Sequence, residues 1–322
     1  MSAPVTYLDP KKLPKNLWDP DAGVLRISEN LARCYETLID RYDLSALAGS
    51  RTRDDSPVGG IDQASTNQHF AQQFDNSAAR AQLTLTNVNG EVSDASDALV
   101  RALSGGKICL TDAPCGAGAA SLAFLSTIAE LRKDGVLPRM PLEVRLLGAE
   151  ISLYAREYAN QLLEGMRPFL ESQAITMNSV LVEWNATDEL SNTDLIQTMI
   201  RGCPLSNKQL LVIANFSGFL SRSGKMKEVE PQLSELFRHS SGSGNVAIWI
   251  EPQMNEVTAG GGIFQKLGQK VSHGWCRFVR LFHHSDESPP YMTSTVHFES
   301  TLAPGQRRPI RLAVMRLDLE RS

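Results

Sequence analysis

Residues 107–121, Lys-Ile-Cys-Leu-Thr-Asp-Ala-Pro-Cys-Gly-Ala-Gly-Ala-Ala-Ser, constrain the fold more than any other stretch of the chain. Ile108 to Leu110 read as the end of a buried strand that Asp112 closes. Pro114 to Gly118 read as a tight turn, and Ala119 to Lys133 as a helix whose apolar side is Ala119, Ala120, Leu122, Ala123, Leu125 and Ile128. A strand, a glycine turn and a helix in this order make a backbone cradle at the carboxyl edge of a parallel sheet, where α/β folds bind ligands. Glycines there let a ligand approach the main chain with no Cβ in the way.

The rest of the chain supports an α/β reading. Residues 1–20 carry four prolines and read as an extended arm, docked by Leu13, Leu17 and Trp18. Helical spacing follows over Leu25 to Leu47, where Leu31, Tyr35, Leu38 and Ile39 share a side. It recurs over Ser65 to Leu83 and Ser93 to Leu103. Residues 49–63 read as a loop. Beyond the glycine turn, strands and helices alternate. Strands are expected at 142–149, 177–184, 209–215 and 245–250, and helices at 152–170, 188–200 and 226–238. A broken helix follows at 257–271. Then come three strand candidates with no helix between them, 275–282, 293–299 and 310–319. The domain expectation is a helical N-terminal cap or substrate region at 1–106. A sheet domain then fills 107–322, with a β-rich insertion around 253–305.

Composition excludes little. The hydrophobic share of 42% and the charged share of 21% are ordinary for a globular chain, and the net charge of −4 argues against a strongly basic nucleic-acid binder. Five widely spaced cysteines without a Cys-x-x-Cys pair point to reduced thiols and a cytoplasmic setting rather than a disulfide framework or a zinc site. No apolar run approaches the roughly 20 residues that span a bilayer. The pair His283-His284 reads as a polar turn, because neighbours on a strand face opposite ways, so no metal is expected. Cys203-Pro204 reads as a loop.

The form Asp-x-Pro-Cys-Gly-x-Gly, with Glu150 ending the next strand, resembles motif I and its partner acid in class I S-adenosylmethionine-dependent methyltransferases. A dinucleotide fingerprint fits less well. Its third glycine is replaced by Ser121, and Glu150 is too distant for its acid. The resemblance implies a Rossmann-like sheet, mostly parallel with antiparallel C-terminal strands, preceded by the helical N-terminal region. It also implies S-adenosylmethionine as cofactor. Asp112, Ala113, Pro114, Gly116 and Gly118 would line the methionine end. Glu150 would accept the ribose hydroxyls, and Ile151 would lie on the adenine. Asn185-Ala186 stand where the family often has Asp-Ala, so the Asn185 carbonyl oxygen would accept the adenine amino group. Asp188, three residues later, is the rival for that amino group, or a helix N-cap. His69, Phe70 and Arg80 fall in a segment that covers the pocket, with Arg80 a partner for the methionine carboxylate or a solvated helix residue.

Asn215, Phe216 and Ser217 end the fourth strand and are the expected catalytic contacts with the acceptor. The family's amino-methylating nucleic-acid enzymes carry Asn/Asp-Pro-Pro-aromatic there; this chain has Asn-Phe-Ser-Gly, which weakens base amino methylation. Arg307 and Arg308 with Lys225 and Lys227 read as an anionic-substrate patch or a solvated surface. The activity expected is methyl transfer to an RNA or a small molecule. A catalytically silent subunit of the same fold, acting with a protein partner, is the alternative.

Overall fold

The structure is a computed structural model, described over residues 7–50, 60–203, 208–216, 219–220, 224–253 and 291–319. The N-terminal arm makes a 3-10 turn at Pro10–Lys12 and two short strands, β1 (Trp18–Asp19) and β2 (Val24–Leu25). Leu13, Leu17 and Trp18 are buried and dock the arm as expected. Helix α1 (Glu29–Arg41) buries the predicted stripe Leu31, Tyr35, Leu38 and Ile39. The short α2 (Ser45–Gly49) follows. Helix α3 (Gln63–Thr86) starts at Asp62, whose carboxylate accepts the Ser65 amide, and stops at Asn87 in a left-handed conformation. It is buried on nearly every side, between α5, α2, α4 and the C-terminal strands, so its sequence lacks a clean polar face. Helix α4 (Ser93–Leu103) leads into β3 (Gly106–Asp112).

Four further strand segments repeat the alternation. They are β4 (Leu142–Ala149), β5 (Ile175–Val182), β6 (Lys208–Ala214) and β7 (Val246–Pro252). The helices between them are α5 (Ala119–Lys133), α6 (Leu153–Ser172), α7 (Glu189–Gly202) and α8 (Met226–Ser240). The chain closes with β8 (Met292–Glu299) and β9 (Arg307–Asp318). One nine-stranded sheet results, in the order β1-β2-β8-β9-β7-β6-β3-β4-β5. Strands β3 to β7 are mutually parallel, and β9 runs antiparallel to both β7 and β8. The fold is therefore the expected Rossmann-like sheet, mostly parallel with antiparallel C-terminal strands.

From β3 the chain builds outward through β4 and β5 on one side, then returns to place β6 and β7 on the other. The order thus reverses between β3 and β6, which opens a crevice at their carboxyl ends. Aliphatic side chains of β3, β4, β6 and β7 are buried against the helices.

Two observations depart from the sequence reading. Strands β1 and β2 belong to the sheet, because β2 pairs with β8 at Val24↔His297 and Leu25↔Phe298. The N-terminal region is thus helical but also supplies sheet edge; two residues per strand are too few for a period-2 pattern to register. Second, Cys109 of β3 and Cys203 after α7 form a disulfide, their Cα atoms 5.8 Å apart. The expectation of reduced thiols is corrected for this pair, which a separation of 94 residues hid from spacing rules. Cys34 and Cys115 are free. The strand candidate at 275–282, the broken helix at 257–271 and His283-His284 lie outside the described residues, as does most of the insertion expected around 253–305.

Gly148 sits opposite Asp112 in the β3–β4 register. A Cβ there would approach Leu181 Cδ2 to 2.5 Å and Cys115 Sγ to 3.1 Å. Gly148→Val should lower stability by about 1–3 kcal/mol through overpacking, read as a lower urea midpoint with an unchanged slope.

Candidate functional site

The carboxyl ends of β3, β4, β5 and β6 and the overlying face of α3 enclose a cavity of about 420 Å³. Its floor is the glycine turn. Gly116 and Gly118 have φ of 52° and 78°, a region that side chains with a Cβ disfavour. The Gly118 amide donates to the Cys115 carbonyl at 2.8 Å, which closes the turn before α5 begins. Cys115 is buried and lines the cavity; burial first, then the Asp112 and Glu150 charges, push its thiol pKa well up.

Asp112 ends β3 at the bottom of the crevice and is fully buried. Its Oδ2 accepts from Ser121 Oγ at 2.6 Å and from the Ser121 amide at 3.3 Å. Its Oδ1 is buried with no hydrogen-bond partner among the described residues. Burial raises its pKa to about 7; the Ser121 bonds oppose the rise, and the Glu150 charge adds to it. The serine that breaks the dinucleotide fingerprint thus holds one oxygen of the motif acid. The other oxygen is left for a cationic or N–H ligand.

Glu150 follows β4. Its Oε2 accepts the Gly116 amide at 3.0 Å and its Oε1 the Ser152 amide at 2.9 Å. Burial raises its pKa, opposed by these amides and by Arg156. Arg156 Nη1 donates to the carbonyls of Glu150 and Ile151, which fixes the backbone behind the carboxylate. The acid therefore has a structural role, bracing the glycine turn. Each of its oxygens also keeps a second lone pair for a ligand hydroxyl.

The other expected residues divide. Pro114, Ile151, Asn185, Ala186, Asn215 and Phe216 line the cavity. Ala113 and Gly118 do not: the Ala113 amide donates to Val212 O at 3.0 Å, and Gly118 packs toward Leu122 and Ala159. Their part is to shape the turn. Asn185 is oriented otherwise than expected. Its Oδ1 accepts both the Thr187 amide, at 3.1 Å, and Thr187 Oγ1, at 2.8 Å. An amide N–H can only donate, so this end is the oxygen, and its two lone pairs are used. What Asn185 can present to a ligand is its NH₂. Asp188 is the N-cap of α7, accepting the Leu190 amide at 3.1 Å. Ser217 lies outside the described residues.

Helix α3 lines the cavity with Thr66, His69, Phe70, Phe74 and Ser77, whose spacing of three and four puts them on one helical face. Arg80, one turn further, does not line it; Nη1 donates to Asn215 Oδ1 at 3.1 Å. Asn215 has a φ of 56°, a backbone that Asn tolerates better than most residues. Its neighbour Phe216 is stacked on Phe219, ring centres 5.7 Å apart, and tilted against Trp184 at 6.2 Å. Lys225 also lines this end, while Lys227, Arg307 and Arg308 do not. Trp184 and Ser77 were not singled out from the sequence. The tryptophan directly before Asn185, at a strand end, was the available signal.

No protein-family model and no curated protein matches the sequence. Solved structures do match by shape. A candidate RNA methyltransferase from Pyrococcus horikoshii is 11% identical with a TM-score of 0.33, over 87% of this chain and 97% of that one. A candidate class I S-adenosylmethionine-dependent methyltransferase from Listeria monocytogenes is 10% identical with a TM-score of 0.30, over 90% and 88%. A glycopeptide N-methyltransferase, solved with sinefungin, is 10% identical with a TM-score of 0.24, over 69% and 95%. These neighbours are methyltransferases. No subfamily is singled out, and scores this low leave the chemistry to be read from the cavity itself. Among the described residues no cluster of metal ligands occurs, and no helix is long and apolar enough to cross a membrane.

The Asp112 pKa is raised on folding, so its contribution to stability is full below the unfolded value of 3.8 and is lost as pH climbs to about 7. Glu150, also raised, adds a slope of the same sign. Asp112→Asn should flatten the decline in urea midpoint between about pH 4 and 7 without abolishing it.

Proposed function

We propose that this chain is an S-adenosylmethionine-dependent methyltransferase whose cofactor occupies the cavity above the glycine turn. The observation that carries the reading is the buried Asp112 Oδ1, without a partner among the described residues where β3 ends at the reversal of strand order. A buried acceptor of this kind costs roughly 1–3 kcal/mol unless a ligand satisfies it. A cofactor ammonium or its hydrogen-bonded surroundings would do so.

The residues fit the group. Glu150 retains lone pairs for two ribose hydroxyls, Ile151 and Ala186 offer apolar surface for the adenine, and Gly116 leaves the backbone open. The Asn185 NH₂ suits an adenine ring nitrogen better than the adenine amino group first expected for this position. The cofactor supplies a methyl already activated on a sulfonium. The protein's work is to align an acceptor and exclude water, and Asn215, Phe216 and Phe219 lie where they can do both. Ser217 remains part of the proposal by its place in the sequence.

Asn215 and the aromatic wall favour an active enzyme over a silent subunit. In the silent case the cofactor would bind and no acceptor class would be methylated. Calorimetry should detect binding of S-adenosylmethionine and its demethylated product, and no binding of nicotinamide dinucleotides. Glu150→Ala should weaken that binding tenfold or more, as expected from the loss of charge-assisted bonds worth about 1.5–3 kcal/mol. Unchanged affinity would remove Glu150 from the site, and absent binding to the wild type would remove the function.

A further inference from the structure

We infer that Thr66 and Ser152 are positioning residues that clasp the start of α3 onto the segment carrying Glu150. The roof of the cavity and the acid that would meet the ribose then move together; this deepens the cofactor reading above and rests on it. Gly60, Ile61 and Thr66, before and within the first turn of α3, line the cavity together with Glu150 and Ile151. Ile61 lines it while 64% exposed, which places this side chain at the mouth. Gly60 rests directly on the first turn of α3, since a Cβ there would fall 1.7 Å from Ser65 Oγ. Residues 60–66 are therefore one packed unit.

Two hydroxyls join that unit to the acid. Thr66 Oγ1 donates to the Gly60 carbonyl at 2.9 Å and lies 2.8 Å from Ser152 Oγ. A hydroxyl has one proton, so with the threonine proton directed at Gly60 the serine donates across the pair. A longer contact, 3.4 Å, runs from Ser152 Oγ to the Ile61 carbonyl. Ser152 Oγ also accepts the Ala155 amide at 3.3 Å, as the N-cap of α6. The backbone amide of the same serine donates to Glu150 Oε1 at 2.9 Å. Thr66 and Ser152 are buried, at 4% and 1% exposure. There water competes little, and hydrogen bonds in series reinforce one another.

Deeper in the α3–α6 seam the contacts are of another kind. Tyr158 OH donates to Asn67 Oδ1 at 2.7 Å, and its ring stacks on Phe70 with centres 4.3 Å apart. These hold one helix to the other without touching residues 150–152. The Thr66–Ser152 pair reaches the acid's own segment. A ligand that holds Glu150 therefore favours the clasped roof, and by reciprocity the clasped roof tightens binding. The effect falls on dissociation, because a contact that must open before the ligand leaves lowers the exit rate.

The test uses the full chain and S-adenosylhomocysteine, with calorimetry first. No binding removes the cofactor reading and the clasp with it; the remaining outcomes bear on the clasp alone. Ligand should slow amide exchange at residues 60–66 together with 150–152 in the wild type. Thr66→Val keeps the shape and removes the hydroxyl. It should keep the protection at 150–152 and lose it at 60–66, with dissociation about threefold to tenfold faster, the range of one lost buried hydrogen bond. Thr66→Ser should restore both. Ser152→Ala should match Thr66→Val in dissociation rate, and the double variant should go no further, because the two residues serve one contact. Tyr158→Phe removes the bond to Asn67 in the same seam; it should lower the urea midpoint and leave the dissociation rate and the paired protection unchanged. Wild-type protection confined to 150–152, additive effects in the double variant, a Thr66→Val variant with wild-type dissociation, or a Tyr158→Phe variant with the same phenotype as Thr66→Val would each overturn the inference.

Discussion

The Glu150 carboxylate organises the candidate site. Its two oxygens take the Gly116 and Ser152 amides, one from the turn after β3 and one from the start of α6. A turn with two left-handed glycines has many alternative shapes, since glycine loses more freedom on folding than any other residue. The bond to Gly116 selects one shape and ties it to the neighbouring strand. Arg156 holds the carbonyls behind the acid. The cradle and the acid that would grip a ribose are thus one connected unit, and movement of either would disturb both.

Burial gives that unit its electrostatic character. Two carboxyls, Asp112 and Glu150, lie close together at the bottom of one crevice, and each is pushed toward its neutral form. Such a pair is unfavourable on its own, and Asp112 Oδ1 has no partner among the described residues. A ligand that brings a positive charge and hydroxyl donors relieves the burden on both acids. Strain of this kind, held by the surrounding fold, is a mark of ligand sites.

Much of this was legible in the sequence because it depends on local order. The strand–glycine–helix stretch fixed the place of the crevice. The run of alternating strands and helices implied a parallel sheet, and the acid after β4 could be found by its position at a strand end. What stayed hidden depends on pairs far apart in the chain. Arg80 and Asn215 are separated by 135 residues, and nothing in helical spacing says which way a long side chain on α3 will reach. Residues β1 and β2 contribute are too short to show a period. The Cys109–Cys203 bridge joins a strand to the far end of α7, and no spacing rule anticipates it. Asn185 shows a subtler limit. The residue lines the cavity, but Thr187 two positions later takes its oxygen and reverses what it can offer.

Amide hydrogen exchange with and without S-adenosylhomocysteine tests the central claim most directly, because it reads location as well as binding. The account predicts slower exchange concentrated at residues 112–121 and 150–152, where the ligand would pin the turn and its bracing acid. Binding that leaves those amides unchanged, or protects a different edge of the sheet, would contradict it.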